Sequence, residues 1–267
     1  MSLAAFLYRR VSRWVTCEIG LPSGTKLPLA SKYDVASFSD VFCHPFYWQI
    51  YQWLESPVPL VVDCGAHCGH FSILVEQCCI SKFGRSQAEY LAIEPNPHLL
   101  PRLERNLRRA GLGARFKIVQ ALLGSDTPAG VGQLWVQSKN YLSASVYHAP
   151  GGKQYQIPTT KLSSAIGPRP VDILKVDIEG AEYDLVAGES DVFASASLVI
   201  MEVHAARRER RNQMLKTLED GGLYPVLDPI VSCGNELFLF KNAKRAVVVK
   251  QMPPSQSSFV APDCIES

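Results

Sequence analysis

Residues 60–76 read LVVDCGAHCGHFSILVE. Leu60-Val61-Val62-Asp63 is a short apolar run, glycines stand at 65 and 69, and Phe71 to Glu76 resumes with helical spacing, so the order is strand, turn, helix. Gly65 and Gly69 remove two Cβ atoms where the backbone must turn sharply and approach a ligand. The helix N-terminus behind them favours negative charge. The spacing is Gly-x-x-x-Gly: the Gly-x-Gly-x-x-Gly arrangement that wraps a pyrophosphate is absent, and so is the Lys-Ser/Thr of a phosphate loop. Neither a dinucleotide nor ATP suits this turn.

Moving outward, the same alternation repeats. Tyr90 to Glu94 reads as a second strand, and His98 to Ala110 as a helix whose apolar positions 99, 100, 103 and 107 share a face before Gly111 ends it. Phe116 to Gln120 is a third strand, and between 131 and 160 the alternation Leu134/Val136 and the Gly151-Gly152 turn predict a β insertion. Asp172 to Asp177 is a fourth core strand, a helix follows from about Ala181 to Ala187, and Leu198 to Glu202 is a fifth strand. A helix around 207–220 stops at Gly221-Gly222, and strands at Leu223 to Leu227 and Glu236 to Phe240 are joined without room for a helix. Parallel units closed by an antiparallel pair predict an α/β fold: a doubly wound, seven-stranded Rossmann-like sheet with an antiparallel C-terminal strand pair. Residues 1–59 read as an N-terminal helical/β cap or lid, with a short amphipathic helix over Leu3 to Val15 and aromatics at Phe38, Phe42, Phe46, Tyr47, Trp48, Tyr51 and Trp53. Residues 60–242 form the main domain, and 243–267, with Pro253-Pro254-Ser255, are expected to be a mobile tail.

Composition narrows the classes. With 267 residues, 47% hydrophobic and 19% charged, the chain can bury a full core and is too apolar for disorder. Lys plus Arg number 27 and Asp plus Glu 25, and a net +2 supplies no field of the kind nucleic-acid binding needs. Apolar runs such as Leu198-Val199-Ile200-Met201 fall far short of the ~20 residues of a membrane span. Residues 3–8 precede Arg9, Arg10 and Arg13, the reverse of a signal peptide, so a cytoplasmic location is expected. The eight cysteines are expected as free thiols acting as small hydrophobes. Cys64, His67, Cys68, His70, Cys78 and Cys79 cluster in sequence, but without a Cys-x-x-Cys pair and with a strand-loop-helix path between them they do not predict zinc.

In an open α/β sheet, ligands bind beyond the carboxyl ends of the strands, so chemistry is sought just after each apolar run. Glu94, in Ile93-Glu94-Pro95-Asn96-Pro97, can accept hydrogen bonds from both ribose hydroxyls of a nucleoside; the bland alternative is a solvated helix-start residue. A glycine turn and an acidic strand end without a diphosphate signature point to a nucleoside cofactor carrying no phosphates, of which S-adenosyl-L-methionine is the commonest. In Leu174-Lys175-Val176-Asp177-Ile178-Glu179-Gly180-Ala181-Glu182, alternation puts Lys175 and Asp177 on one face, while Glu179 and Glu182 also suit a helix's first turn. Glu202 and His204 share a face at the end of the fifth strand, where His204 is either a general base or a core histidine. No metal is assigned, although Asp177, Glu179, Glu202 and His204 could hold Mg²⁺. Arg207-Arg208-Glu209-Arg210-Arg211 reads as a solvated helix start.

VDCGAHCG, IEPNP, LKVDIEGAE and Glu-x-His at 202–204, in this order, resemble the FkbM family of S-adenosylmethionine-dependent methyltransferases. The resemblance implies the seven-stranded methyltransferase fold, with Asp63, Gly65, His67 and Gly69 around the methionine moiety, Glu94 on the ribose, and Gln120-Ala121 at the adenine. It further implies O-methylation of a sugar or polyketide hydroxyl, with Lys175, Asp177, Glu179 and His204 near the acceptor and Asp177 also near the cofactor. His67 and Ser163 depart from the family's usual Asn and Asp. The expected partner is a small-molecule or glycan acceptor, and a homo-oligomer is compatible with the sequence. An N-methyltransferase for an amine or peptide, and a non-catalytic nucleoside-binding protein on the same fold, are the alternatives.

Overall fold

The computed structural model describes residues 17–29, 32–124, 130–137, 140–145, 151–205, 207–232 and 234–245. The helix expected over 3–15 and all but the first three residues of the tail lie outside the described residues. In chain order the elements are β1 (Cys17–Gly20), β2 (Lys26–Leu29), α1 (Lys32–Phe42), α2 (Pro45–Trp48), α3 (Ile50–Trp53), β3 (Leu60–Cys64), α4 (His70–Phe83), β4 (Glu89–Ile93), α5 (Leu100–Arg109) and β5 (Phe116–Val119). After these come β6 (Leu122–Leu123), β7 (Val131–Gln137), β8 (Asn140–Ser145), β9 (Gly152–Thr160), α6 (Leu162–Ile166) and β10 (Ile173–Val176). The chain continues with α7 (Glu182–Gly188), α8 (Ser190–Ser195), β11 (Leu198–Val203), α9 (Arg208–Asp220), β12 (Leu223–Pro225), β13 (Ile230–Ser232) and β14 (Asn235–Asn242).

The main sheet runs β12-β14-β11-β10-β3-β4-β5. The five strands from β11 to β5 are parallel and β14 is antiparallel to both β11 and β12, which is the doubly wound arrangement read from the sequence. β3 reads as a continuous apolar run because both of its faces are covered and all five of its residues are buried. In the main sheet one strand was not legible: β13 adds to β14 through Ile230↔Leu237, but its three residues are too few to show a period, and Val231 is 68% exposed. The insertion forms its own four-stranded sheet, β6-β9-β7-β8.

Two apolar clusters flank the main sheet. On one side Val199, Met201, Phe193, Met214 and Phe240 pack with α7, α8 and α9. On the other, Ile73, Leu74, Leu103 and Leu107 of α4 and α5 share a cluster with Leu21, Leu27, Val41, Phe46 and Ile50 from the N-terminal segment. Helix α4 therefore lies between the sheet and that segment, and its buried residues cover its whole circumference. Stacked Phe38 and Phe42 rings, 4.5 Å apart, stiffen α1, and Trp48 Nε1 donates to Phe42 O at 2.8 Å. Lys82, in the last turn of α4, donates Nζ to Tyr51 O, Gln52 O and Leu54 O, satisfying carbonyls at and just beyond the end of α3. The result holds α1 and α2 over the carboxyl edge of the sheet.

Candidate functional site

A cavity of about 540 Å³ opens beyond the carboxyl ends of β3, β4, β10 and β11. Its floor is the turn after β3. Gly65 and Ala66 both donate their N–H to Ile93 O, at 2.9 and 3.1 Å, which draws the turn across to β4. Gly65 has φ +76°, and a Cβ built on it would lie 1.8 Å from the carbonyl oxygen of Asp177. Only glycine lets the turn rest on the end of β10 in this way. Gly69, at φ +81°, serves packing instead: its Cβ would meet Leu103 Cδ1 at 2.8 Å, so its absence admits α5.

Glu94 clamps the turn. Its Oε2 accepts from His67 N–H and its Oε1 from Asn96 N–H, both at 2.8 Å. Burial pushes the carboxyl up to about 7, against the pull of those two backbone donors. His67 adopts φ +49°, and its ring lines the cavity with both nitrogens buried and without a hydrogen-bond partner. Burial, helped by the Lys175 charge, brings this imidazole down to about 4, so it is neutral at physiological pH.

Lys175 sits behind the turn. Its Nζ donates to Gly65 O at 3.1 Å and lies 3.4 Å from both Asp63 and Asp177. Burial alone would lower this ammonium, but the carboxylates of Asp177 and Asp63 hold it well above its ordinary range. Asp63 spends its other oxygen on Ser72 Oγ–H at 2.9 Å and is closed off from the cavity.

The end of the cavity beside β10 and β11 is acidic. Asp177 ends β10, and the next turn carries Glu179 at φ +57°. The fully buried Glu182 accepts with Oε1 from Ile178 N–H and Gly180 N–H, shaping this turn, and meets His204 Nδ1 at 3.0 Å. On the far side, His204 Nε2 is 3.5 Å from Glu179 Oε2. Burial would lower the imidazole, yet the hydrogen bonds and charges of Glu179 and Glu182 lift it to about 10. Left to these two partners, His204 is an imidazolium and has no lone pair with which to act as a base. Glu202 also faces the cavity, held by Asn235 Nδ2 at 2.8 Å, and burial and the nearby Asp177 charge raise its carboxyl.

Nine of the candidate site residues singled out from sequence line this one cavity: Gly65, His67, Glu94, Ala121, Lys175, Asp177, Glu179, Glu202 and His204. Asp63, Gly69 and Gln120 do not. Asp63 is spent on Lys175 and Ser72, Gly69 on helix packing, and the exposed Gln120 donates Nε2 to Pro95 O at 3.5 Å. Sequence reading also left out two walls. Leu122, Leu123 and Leu134 of the insertion form an apolar one, and Ser37, Asp40, His44 and Tyr47 of the N-terminal segment form a polar one, tied to α4 by Ser37 Oγ and His70 Nδ1 at 2.9 Å. The aromatic run at 38–53 was the available signal, but its placement follows from tertiary packing. The six described cysteines are free, and burial pushes the Cys78 and Cys79 thiols up to about 12. No helix among the described residues is long and apolar enough to cross a membrane.

The model of the methyltransferase FkbM domain matches residues 63–224, more than half of the chain. The chain belongs to the FkbM methyltransferase family. It is a methyltransferase, and its cofactor is S-adenosyl-L-methionine. The residues fit such a cofactor: the turn drawn onto β4 at Gly65 and Ala66 floors the cavity, and His67 offers two unpartnered ring nitrogens there beside the buried Glu94 carboxyl. Among similar solved structures is an FkbM methyltransferase from Methylobacillus flagellatus, 18% identical, with TM-score 0.48, covering 74% of this chain and 50% of that one. Others are precorrin-6y C5,15-methyltransferase from Geobacter metallireducens, at 13% identity, TM-score 0.44 and coverages of 74% and 87%, and M. capricolum TrmK in complex with S-adenosyl-homocysteine, at 10%, 0.44, 74% and 68%. No curated protein matches the chain.

Proposed function

We propose that this FkbM-family member methylates an acceptor hydroxyl, on a sugar, a glycolipid or a polyketide-like small molecule. The observation that carries the reading is Asp177, a carboxylate at the end of β10 that lines the cavity and is fixed by Lys175 at 3.4 Å. Gly65, His67 and Glu94 hold the cofactor, with Glu94 accepting from the ribose hydroxyls and the apolar side chains around Ala121 receiving the adenine. Bound there, S-adenosyl-L-methionine supplies a methyl group already activated on a sulfonium. The protein's own tasks are then alignment, a positioning effect of up to roughly 7–11 kcal/mol, and removal of the hydroxyl proton. Asp177 takes that proton, since His204 between Glu179 and Glu182 is already protonated. Lys175 keeps the Asp177 carboxylate oriented for the task.

An amine acceptor is the second reading, favoured by the crowd of carboxylates at Asp40, Asp177, Glu179 and Glu202 along the cavity. Incubation of the protein with methyl-labelled S-adenosyl-L-methionine and pooled glycans, glycolipids and amines separates the two. Label in methyl ethers is expected; label confined to N-methyl groups would replace the hydroxyl reading, and no transfer to any pool would remove both.

The Glu94 carboxyl gives a pH dependence whose sign can be worked out. Its value of about 7 means that much of the free protein carries the protonated acid below neutrality. Two ribose hydroxyls need an acceptor-only carboxylate, so the proton must leave first. Cofactor affinity should therefore fall by up to about tenfold per pH unit below 7, relative to Glu94→Gln, whose affinity is weak and flat. Calorimetric titrations at pH 6, 7 and 8 on both proteins check this; parallel pH profiles would remove Glu94 from the ribose.

A further inference from the structure

Asp177, Glu179 and His204 come from the end of β10, the turn after it and the residue following β11, yet each offers one ligand atom within 4.8 Å of the others. We propose that these three side chains form a site for a hard divalent cation, Mn²⁺ or Mg²⁺, at the acceptor end of the cavity. The proposal deepens the hydroxyl-methylation reading and rests on it: the cation would take the acceptor's hydroxyl oxygens as further ligands and fix their orientation.

The donor set is two carboxylates and one imidazole. Oxygen-rich sites suit Mg²⁺ and Mn²⁺, and the nitrogen donor tilts the preference towards Mn²⁺. Three protein ligands leave coordination positions open to the cavity, as a site that also binds substrate requires. The imidazole is placed as metal-bound histidines are, and binding the cation would displace the proton on Nε2. Nε2 faces Glu179, while Nδ1 meets the Glu182 carboxylate at 3.0 Å, so a buried acid fixes the ring and its tautomer from behind. Glu182 has no exposed side-chain surface, and its Oε2 is buried without a partner beside that ring. The same Glu182 shapes the turn that carries Glu179 through the N–H groups of Ile178 and Gly180. One residue therefore positions two of the three ligands.

Charge points the same way. Asp40, Asp177, Glu179 and Glu202 all line the cavity, and the buried Glu182 meets His204 at 3.0 Å. The neighbouring Lys175 is already shared among Asp63, Asp177 and Gly65 O. Like charges this close raise each other's energy, and a divalent ion offsets that repulsion more fully than one imidazolium can.

The test uses the full chain without cofactor and Mn²⁺ as the probe, followed by calorimetry and by the electron paramagnetic resonance of bound Mn²⁺. One Mn²⁺ per chain is expected. His204→Gln and Glu179→Gln should each weaken it by more than about tenfold, and the positioning variant Glu182→Gln by about 10–100-fold. Glu104→Gln, an exposed acid on α5 outside the cavity, should leave it unchanged. Melting temperatures of all four variants separate loss of the site from loss of the fold. No stoichiometric Mn²⁺ binding, or binding indifferent to both His204→Gln and Glu179→Gln, overturns the proposal. Methyl transfer that continues undiminished in EDTA also overturns it while leaving the hydroxyl reading intact. Mn²⁺ bound with the expected variant pattern, but without transfer to any hydroxyl, upholds the site and removes that reading.

Discussion

Asp177→Asn is expected to lower kcat by about 10²–10⁴-fold, the contribution of a positioned base, while changing cofactor affinity by less than about threefold. The substitution preserves size and removes only the proton-accepting charge. The introduced amide would still offer Lys175 an oxygen, so the interior pair is weakened without a cavity being opened. The split between kcat and cofactor affinity is the informative readout, because a folding defect would lower both. A rise in the pH needed for half-maximal turnover in the variant would further mark the lost base. Retention of kcat within threefold would remove Asp177 from proton transfer. His204→Gln gives a contrast: the ring is held between Glu179 and Glu182, so its loss should act through the acceptor site and be reported mainly in KM.

The second large effect is expected from a single methyl group. In Gly65→Ala the new Cβ would overlap the Asp177 carbonyl oxygen at 1.8 Å, and the backbone would still have to hold φ +76°. The left-handed conformation costs an L-residue about 1–2 kcal/mol, and overpacking adds about 1–3 kcal/mol. The overlap is with backbone, so no side chain can swing aside to relieve it. The turn must lift off β10, taking with it the Gly65 N–H bond to Ile93 O and the Lys175 bond to Gly65 O. Loss of about 2–5 kcal/mol of stability and a fall in cofactor affinity of more than about 100-fold are expected, measured by urea unfolding and calorimetry. Gly84→Ala is the control. It has φ +70° and nothing within 4 Å, so it isolates the conformational cost at about 1–2 kcal/mol and leaves cofactor binding alone. Equal behaviour of the two variants would show that the close approach is not what position 65 requires.

These two residues also mark what could be read from sequence. The strands β3, β4, β10 and β11 were legible because parallel strands covered on both faces are short apolar runs, each ending in a glycine or an acid. The same rule placed Glu94 and Asp177 at the rim. Position along a strand does not reveal which buried cation will claim a side chain, as Lys175 does at Asp63. Only the register that sets Lys175 beside Asp63 does so. Gly69 was read as a ligand glycine for the same reason, although the partner it accommodates, Leu103, lies in another helix. His204 was left between base and core histidine because the groups that bear on it, Glu179 and Glu182, reach it from a different crossover. The wall of Ser37, Asp40 and Tyr47 had no periodic signature, since its position depends on α4 being covered from outside.

The contact between Gly65 and the Asp177 carbonyl joins the turn after β3 to the end of β10, so neither half of the cavity can be re-sculpted at that seam without disturbing the other. Substrate preference has more freedom to diversify in the two pieces that merely lean over the opening, the leucine-lined insertion and the chain ahead of β3. Swapping those two pieces between relatives, with the rim kept intact, is the route by which one catalytic frame could be taught a new acceptor.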